Sequence, residues 1–379
     1  MKLAALVALA VGAPFALAGC GSDSKSEGTT TGGSTHKEVA VKITAAGCEP
    51  AKLSVAAGPT TFVVQNDGAT KVTEYEILDG ATILGEVENI ASGLSGKFSL
   101  TLKPGTYTTY CPGGTTSERG TLEVTGKGGA ALSPEATAAV ATYRTFIEKQ
   151  TALLVGQTKK FANAVKAGNV AEAKRLYPVA RKPYERIEPV AESFGTLDPA
   201  IDAREGDVDP ADWTGFHPLE KALWKTGSLK DTAPLADQLV QDVQFLDEKV
   251  KTVKLEPAQI ANGSVELLGE VSKSKITGEE ERYSHIDLVD VEANVDGAKA
   301  GFDAVRPIVV KSNEQLAKTI DARFAAMTKE LDQYRDANDP SGYVPYTKLT
   351  SAQTRELSRA VDALAEPLSR VGAIVVSSG

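Results

Sequence analysis

The sequence predicts two domains of different structural class, an N-terminal β-sandwich followed by an all-α domain of two packed four-helix bundles. With 379 residues, the chain is longer than one hydrophobic core usually organises. Apolar residues alternate with polar ones in its first part and recur every three or four residues in the remainder. Hydrophobic side chains make up 42% and charged side chains 24%, which is typical of soluble globular proteins.

The β-sandwich is predicted over residues 38–126. Short segments such as VAVKI, TTFVVQN, KFSLTL and GTLEV alternate in polarity and are rich in β-branched and aromatic residues, a pattern typical of strands. Turn-forming residues separate such segments, namely Asn66-Asp67-Gly68, Asp79-Gly80 and Pro104-Gly105. About seven short strands over this length indicate a sandwich or a barrel.

The all-α domain is predicted over residues 134–379, after a linker at 127–133. Ser133 and Pro134 are a typical helix start, with serine at the N-cap and proline in the first turn. Asn169 begins a second capping sequence. Four glycines are predicted to end helices: Gly168, Gly195, Gly227 and Gly263. Because roughly 245 residues are too many for one four-helix bundle, we expect two.

The first residues have the pattern of an export signal. Residues 1–19 form a mostly apolar stretch that is too short for a comfortable membrane span and is typical of a signal peptide. It ends in Leu17-Ala18-Gly19-Cys20, the pattern of a bacterial lipobox; an ordinary export signal with a chance cysteine is the alternative. Residues 20–37 have the composition of a flexible tether. We therefore expect an extracytoplasmic protein that is anchored to the cell membrane by a lipid on Cys20.

The charge balance favours cations as partners. The 41 basic and 50 acidic side chains give a formal net charge of -9. Binding to nucleic acid requires a basic face that neutralises phosphates, so we expect no nucleic-acid partner.

One histidine of the α-domain is a candidate metal ligand. In GFHPLEKALW, Pro218 is expected in the first turn of a helix, so His217 and Glu220 lie three residues apart on one face and can point at one ion. In a chain with three histidines and 50 acidic residues such a pair readily arises by chance, so it is a weak signal by itself.

Acidic residues upstream extend this candidate site. Glu185, Glu188 and Glu192 are predicted to lie along one stripe of a helix that Pro189 kinks, and Asp202 follows in a predicted loop. Carboxylates on one face repel each other unless water solvates them or a cation bridges them, so a solvated acidic face is the alternative. One imidazole with several carboxylates suits iron, manganese or zinc better than copper(I).

No signature of hydrolysis or phosphate binding accompanies these residues. The sequence lacks the His-Glu-x-x-His pattern of zinc proteases, a Gly-x-Ser-x-Gly elbow and a Gly-rich phosphate loop. We therefore expect no catalytic residues and no organic cofactor.

The β-domain contains a second, weaker candidate. Cys48 and Cys111 are predicted to form either a structural disulfide or a metal site together with Glu74 or Glu76. A blue-copper centre is excluded because it needs two histidines beside the cysteine, and this region has no usable histidine.

The other two histidines are less promising. His36 lies in the predicted tether, and His285 is expected to be a structural residue between bundles.

Several segments together resemble the EfeO family of iron-uptake proteins. GFHPLEKALW, KPYERIEPVAESFG, DPAIDAREGD and GEEERYSHIDLVDVEANVDGA resemble the imelysin-like domain of that family. CEPAKLSVAAGPTTFVVQN, EYEILDG and LKPGTYTTYC resemble its cupredoxin-like domain, so the resemblance covers nearly all of the mature chain.

The resemblance implies a non-enzymatic carrier that captures iron and passes it to an iron permease in the membrane, with a haem peroxidase as a further partner. It implies iron binding at His217, Glu220, Glu188, Glu185 and Asp202. It also implies copper or a second iron at Cys48, Cys111, Glu74 and Glu76. Thr106 stands where some relatives have a glutamate, which leaves that second set of donors incomplete.

Two other function classes remain open from the sequence. A metallopeptidase is one, because imelysin-like domains are grouped with peptidases by name. A polysaccharide-binding or adhesion lipoprotein is the other.

Overall fold

The computed structural model describes residues 37–127 and 131–378. The predicted signal peptide, Cys20 and His36 lie outside the described residues. Within them, no helix combines the length and the apolar character needed to cross a bilayer. Strands extend to Thr125 and helices begin at Pro134, which confirms the predicted order of a β-domain and an all-α domain.

The described strands of the β-domain form two sheets that enclose one core. They are β1 (Lys37–Thr44), β2 (Gly47–Glu49), β3 (Lys52–Ala56), β4 (Gly58–Asn66), β5 (Tyr75–Asp79), β6 (Thr82–Val87), β7 (Ser95–Leu102), β8 (Gly105–Tyr110) and β9 (Arg119–Thr125). One sheet has the order β2-β1-β4-β7 and the other β3-β9-β8-β5-β6. Phe62 and Phe98 stack at 5.3 Å between their ring centroids in this core, beside Tyr75. Alternating side chains of both sheets therefore face inward, as the two-residue period predicted.

The α-domain contains long helices and several short ones. They are α1 (Pro134–Lys166), α2 (Val170–Glu185), α3 (Glu188–Glu192), α4 (Leu197–Asp202), α5 (Phe216–Lys221), α6 (Ala233–Val250), α7 (Pro257–Lys273), α8 (Asp287–Asp332), α9 (Ser351–Leu368) and α10 (Val371–Ser377). Helix α1 packs against α2 and α6, and α7 packs against α8 and α9. Helix α8 also contacts α1 and α2, so both groups share one continuous core.

The two helix groups differ in how many long helical segments they contain. The second has the four segments of a bundle, because α8 bends at the non-helical residue Asn313 and supplies two of them. The first has three long helices, with the short α4 and α5 packed against α6. The breaks around α3, α4 and α5 place polar residues inside the domain, where the candidate site lies.

Local sequence signals explain several of the helix ends. Ser133 accepts a hydrogen bond from the Ala136 backbone, and Asn169 caps α2 in the same way. Gly168 and Gly195 have positive φ angles just beyond the ends of α1 and α3, and Gly227 has one at the end of the π-helical turn Ala222–Thr226, which continues α5. The prediction for Gly263 was wrong: it lies buried inside α7, where an added Cβ would come within 3.2 Å of Pro189. A small residue is needed there because α3 packs closely against α7.

The β-sandwich rests directly on α7. The side-chain amide of Asn262 donates to the backbone carbonyl of Ser99 at 2.9 Å, and both residues are buried. Lys103 forms an ion pair with Glu256 at the edge of this contact. Strands β6 and β7 therefore face the part of the α-domain that carries acidic residues.

Candidate metal centre

A tight backbone approach positions His217. Gly215 precedes α5 with φ +89, and a Cβ on it would lie 2.1 Å from the carbonyl oxygen of Ile201. Only glycine fits that contact without displacing the backbone. Because Ile201 is followed by Asp202 at the end of α4, the contact holds His217 close to Asp202. Asp202 was expected in a loop, but it is the last residue of the short helix α4.

Glu220 lies behind the imidazole ring. The Nδ1 atom of His217 is 3.2 Å from Oε2 of Glu220, and the other carboxylate oxygen accepts from the backbone N–H groups of Tyr283 and Ser284 at 2.8 and 2.7 Å. Both oxygens are therefore engaged, and a proton on Nδ1 points at Glu220. The structure brings His217 and Glu220 together as expected. Glu220 contacts the Nδ1 atom of the ring, however, and does not face Nε2.

The Nε2 atom of His217 faces two other carboxylates. It lies 3.5 Å from Oδ1 of Asp202 and 3.5 Å from Oε1 of Glu280, which is too long for a good hydrogen bond. His217 is 2% exposed, and its Nε2 atom has no hydrogen-bond partner. The three donor atoms lie within 4.8 Å of one another, which is a suitable spacing for one metal ion.

A buried guanidinium lies against the same carboxylates. Arg181 of α2 is fully buried and forms ion pairs with acidic side chains from four parts of the chain. These partners are Glu185, Asp202, Glu280, Glu281 and Asp290. One guanidinium shared among five acidic groups does not by itself neutralise their charge.

A second buried cation joins Glu185 to Glu188. The Nζ atom of Lys275 lies 2.8 Å from Oε2 of Glu185 and 2.6 Å from Oε2 of Glu188. The two glutamates do not share a continuous helix as predicted, because α2 ends at Glu185 and α3 begins at Glu188. Pro189 has no N–H for the carbonyl of Glu185, and the side chain of Asn294 donates to that carbonyl instead.

The charges of the centre shift several proton affinities. Burial and the Arg181 charge lower the pKa of His217, but contacts with Glu220, Glu280 and Asp202 outweigh them and raise it to about 10. Burial raises the pKa of Asp202. Burial also opposes ionisation of Glu280, yet the Lys275 charge holds the pKa of Glu280 well below its usual range. A metal ion at Nε2 would thus compete with a proton.

Sequence reasoning did not find Glu280, Arg181 or Lys275. Glu280 lies in an acidic segment in which only the histidine, His285, was considered as a candidate ligand. Arg181 stands four residues before Glu185, which is the spacing of a helical ion pair, and this signal was available. Lys275 had no comparable local signal.

His285 contributes through its backbone. Its φ angle is +59, and its carbonyl oxygen accepts from the Tyr346 N–H at 2.8 Å. The residue closes a turn before α8 and is absent from the described groups of metal-donor atoms.

The β-domain candidate separates into two parts. Cys48 and Cys111 form a disulfide with a Cα–Cα distance of 5.5 Å, so neither sulfur is a free thiolate. Glu76 lies opposite Glu86 in the β5–β6 pair, and Glu74 groups with Glu86 and Glu88. In the described part of the chain, the clusters of metal-donor atoms contain neither cysteine.

Comparison with known proteins gives two family matches. The imelysin model, which carries the name peptidase M75, matches residues 139–371, and a model of the cupredoxin-like domain matches residues 7–124. A solved structure titled "Novel Purple Cupredoxin from Nitrosopumilus maritimus" is 21% identical and covers 23% of this chain and 98% of its own, with a TM-score of 0.18.

Curated relatives match over almost the whole chain. Proteins named "Iron uptake system component EfeO" from Escherichia coli K12, Escherichia coli O157:H7 and Shigella flexneri are each 40% identical over 348 residues. The aligned region covers 89% of this chain and 91% of each relative. The chain therefore belongs to the imelysin family, and within it to the EfeO-type proteins, which join a cupredoxin-like domain to an imelysin domain.

Proposed function

We propose that this protein is an extracytoplasmic iron-binding component of an iron-uptake system, which captures iron in its α-domain and delivers it to a membrane permease. The observation that carries the proposal is the buried Nε2 atom of His217, which lacks a hydrogen-bond partner and faces Asp202 and Glu280. The relatives named as iron-uptake components support iron as the cargo.

The ligands in this proposal are Nε2 of His217 and carboxylate oxygens of Asp202 and Glu280. Glu220 fixes the ring through Nδ1, as carboxylates commonly do behind a metal-bound histidine. Glu185 and Glu188 lie further from the histidine, where they bind Arg181 and Lys275. One imidazole and two carboxylates form a hard-to-borderline ligand set that suits iron.

Arg181 makes the site suitable for a carrier. Its guanidinium contacts both proposed carboxylate ligands, so it reduces their negative potential and with it their attraction for a cation. A carrier has to release its cargo, and a permanent positive charge beside the ligands weakens binding in the way that release requires.

The proposal is non-enzymatic. A metallopeptidase needs a carboxylate that is free to take a proton from a metal-bound water. Both oxygens of Glu220 are already engaged, by His217 and by two backbone N–H groups. Chelator-sensitive cleavage of casein by the purified protein would contradict this part of the proposal.

The lipobox-like sequence before Cys20 supports the proposed location, and the resemblance to the EfeO family supports the proposed partners. A lipid on Cys20 would hold the carrier at the membrane, within the reach of the tether from an iron permease. A haem peroxidase that oxidises iron is the second proposed partner.

Anaerobic calorimetry with ferrous iron, and competition with citrate for ferric iron, test the centre. H217A, D202N and E280Q should each lower iron affinity at least tenfold. The matched control is H285N, which also removes a half-buried imidazole and places asparagine, a residue that tolerates positive φ, at that turn. Unchanged affinity in H217A, or an equal loss in H285N, would refute the proposal.

A further inference from the structure

The two carboxylate oxygens that face His217 also bind Arg181. Oδ1 of Asp202 and Oε1 of Glu280 each lie 3.5 Å from the Nε2 atom of His217. The same Oδ1 atom accepts a hydrogen bond from Nη1 of Arg181, and the same Oε1 atom accepts one from Nη2 at 2.7 Å. A cation bound to these two oxygens would therefore share them with the guanidinium, and the two positive charges would repel each other at close range.

The Nε atom of the same guanidinium has an unused contact. It lies 3.5 Å from Oδ1 of Asp290, which is too long for a good hydrogen bond. It also lies 2.6 Å from Oε1 of Glu281, but this contact lacks the geometry of a hydrogen bond, and Nε has no hydrogen-bond partner among the described residues. A buried donor of Arg181 and a buried acceptor of Asp290 thus lie close together without being bonded.

Asp290 has few partners for a buried carboxylate. It lies near the start of α8, is 0% exposed, and neither of its oxygens accepts a hydrogen bond from any residue that the structure describes. Within the described ranges, its one ion pair is the 3.5 Å contact with Arg181. Buried carboxylates normally have hydrogen-bond partners, because burial without them is costly. Asp290 therefore has acceptor atoms available for a guanidinium that moves toward it.

We propose that Asp290 is a positioning residue for metal binding. It receives the guanidinium of Arg181 when a cation at the His217 centre displaces that guanidinium from the two ligand carboxylates. A shift of about 0.6 Å brings Nε to the usual hydrogen-bond distance of about 2.9 Å from Oδ1 of Asp290. The inference rests on the proposed function, because iron is the cation that displaces Arg181.

This movement serves both capture and release. In the metal-free protein Arg181 pairs with the ligand carboxylates, and in the loaded protein Asp290 holds the guanidinium further from the cation. The hydrogen bond to Asp290 forms only in the loaded state, so its free energy adds to the iron affinity. When the cation leaves, the two ligand carboxylates attract Arg181 back and oppose rebinding.

Anaerobic calorimetry of the full chain with ferrous iron tests the role of Asp290. D290N keeps the size of the side chain and removes the charge that receives Arg181, so it should weaken iron binding at least fivefold. The matched control is D287N, one turn earlier in α8. Asp287 is also 0% exposed with one oxygen that lacks a partner, but in the described part of the chain it forms no ion pair with Arg181. D287N should change iron affinity less than twofold.

Crystal structures of the wild type with and without Zn²⁺ measure the movement directly. Zinc accepts imidazole and carboxylate ligands as iron does and has no redox chemistry. In the loaded form, Nε of Arg181 should lie within about 3.2 Å of Asp290, and the Nη atoms should no longer contact Oδ1 of Asp202 and Oε1 of Glu280. A purely structural role of Asp290 would leave these contacts unchanged.

Two results would overturn the proposal. One is a D290N variant that binds iron no more weakly than D287N, and the other is a zinc-loaded structure in which Arg181 keeps its metal-free contacts. If H217A still lost iron affinity in either case, the proposed function would stand and this inference alone would fail. A wild type that bound no iron would overturn both. Urea denaturation without metal checks that both variants fold, and the wild-type structures decide the question if D290N does not.

Discussion

The Nδ1 atom of His217 lies 3.2 Å from Oε2 of Glu220, on the opposite side of the ring from Asp202 and Glu280. The two oxygens of Glu220 are in turn fixed by the histidine and by the backbone of residues 283 and 284. In the proposed centre, Glu220, which the sequence pairs with His217 as a co-ligand, orients the histidine ring instead.

Replacing Glu220 with glutamine should weaken iron binding by about 10–100-fold, the usual effect of losing a carboxylate behind a metal-bound histidine. H217A should weaken it further, because a ligand is lost. Calorimetry with ferrous iron measures both, with E123Q as the control for an exposed carboxylate. If E220Q lost as much affinity as H217A and D202N together, Glu220 would be a ligand itself.

Gly215→Ala should disturb the centre from outside it. The new Cβ would lie 2.1 Å from the Ile201 carbonyl at a φ that non-glycine residues avoid, so α4 and α5 would have to move apart. We expect lower iron affinity and a loss of stability of about 1–3 kcal/mol. Gly206→Ala is the matched control, because Gly206 also has a positive φ but has open space around its Cβ position. Equal effects in both variants would contradict the steric argument.

Removing the charge of Arg181 should destabilise the metal-free protein strongly. R181M would leave five buried carboxylates without their shared partner, and breaking a buried ion pair from one side costs about 3–5 kcal/mol. Urea denaturation measures this cost. Iron should recover part of it, because the cation supplies the missing positive charge. A variant as stable as the wild type without metal would show that those carboxyl groups are neutral.

The carboxyl groups of Glu88 and Glu266 should make the metal-free protein less stable as the pH rises. Burial, with the charges of Glu74 and Glu270, raises the pKa of Glu88 to about 8, and burial with the Glu88 charge does the same for Glu266. In the unfolded chain both ionise near their usual pKa of 4.5, so the folded state binds more protons between pH 4.5 and 8. Their stabilising contribution is complete below pH 4.5 and is lost as the pH rises through 8.

The pH prediction is checked by comparing urea denaturation of the wild type and of E88Q with E266Q, without metal, from pH 5 to 8.5. The wild type should lose stability relative to the variant over that range. A difference that stays constant would contradict it.

Loss of the disulfide should affect stability and leave iron binding alone. Cys48 and Cys111 close a loop with a sequence separation of 63, for which loop entropy gives about 4 kcal/mol. C48S with C111S should therefore unfold at lower urea concentration, while iron affinity at the His217 centre stays within twofold. A large loss of iron affinity would mean that the sulfurs belong to the metal site.

Local signals in the sequence predicted the elements that depend on neighbouring residues. Ser133 and Pro134 begin a helix because the cap and the fixed φ act within one turn, and His217 meets Glu220 because three residues span one helical turn. Helix caps and contacts within one helical turn depend only on residues that are close in sequence, so they can be predicted without knowledge of the tertiary fold.

The features that the sequence did not predict depend on packing between residues that are far apart in the chain. Glu185 and Glu188 were expected on one helix, but the side chain of Asn294 takes over the carbonyl that Pro189 leaves free, and α2 ends there. Glu280 reaches His217 from a turn far along the chain, and no periodicity encodes that approach. Glycine is common at helix ends, but Gly263 lies inside a helix, where its close contact with Pro189 requires a small residue.

The proposed ligands of the iron centre arrive on three separate segments: the end of α4, the start of α5 and the turn before α8. In the folded protein, the helical core around Arg181 holds these three segments together. A chain that is exported unfolded would therefore form this centre only in the compartment where it folds. The first metal bound would be one that is available in that compartment.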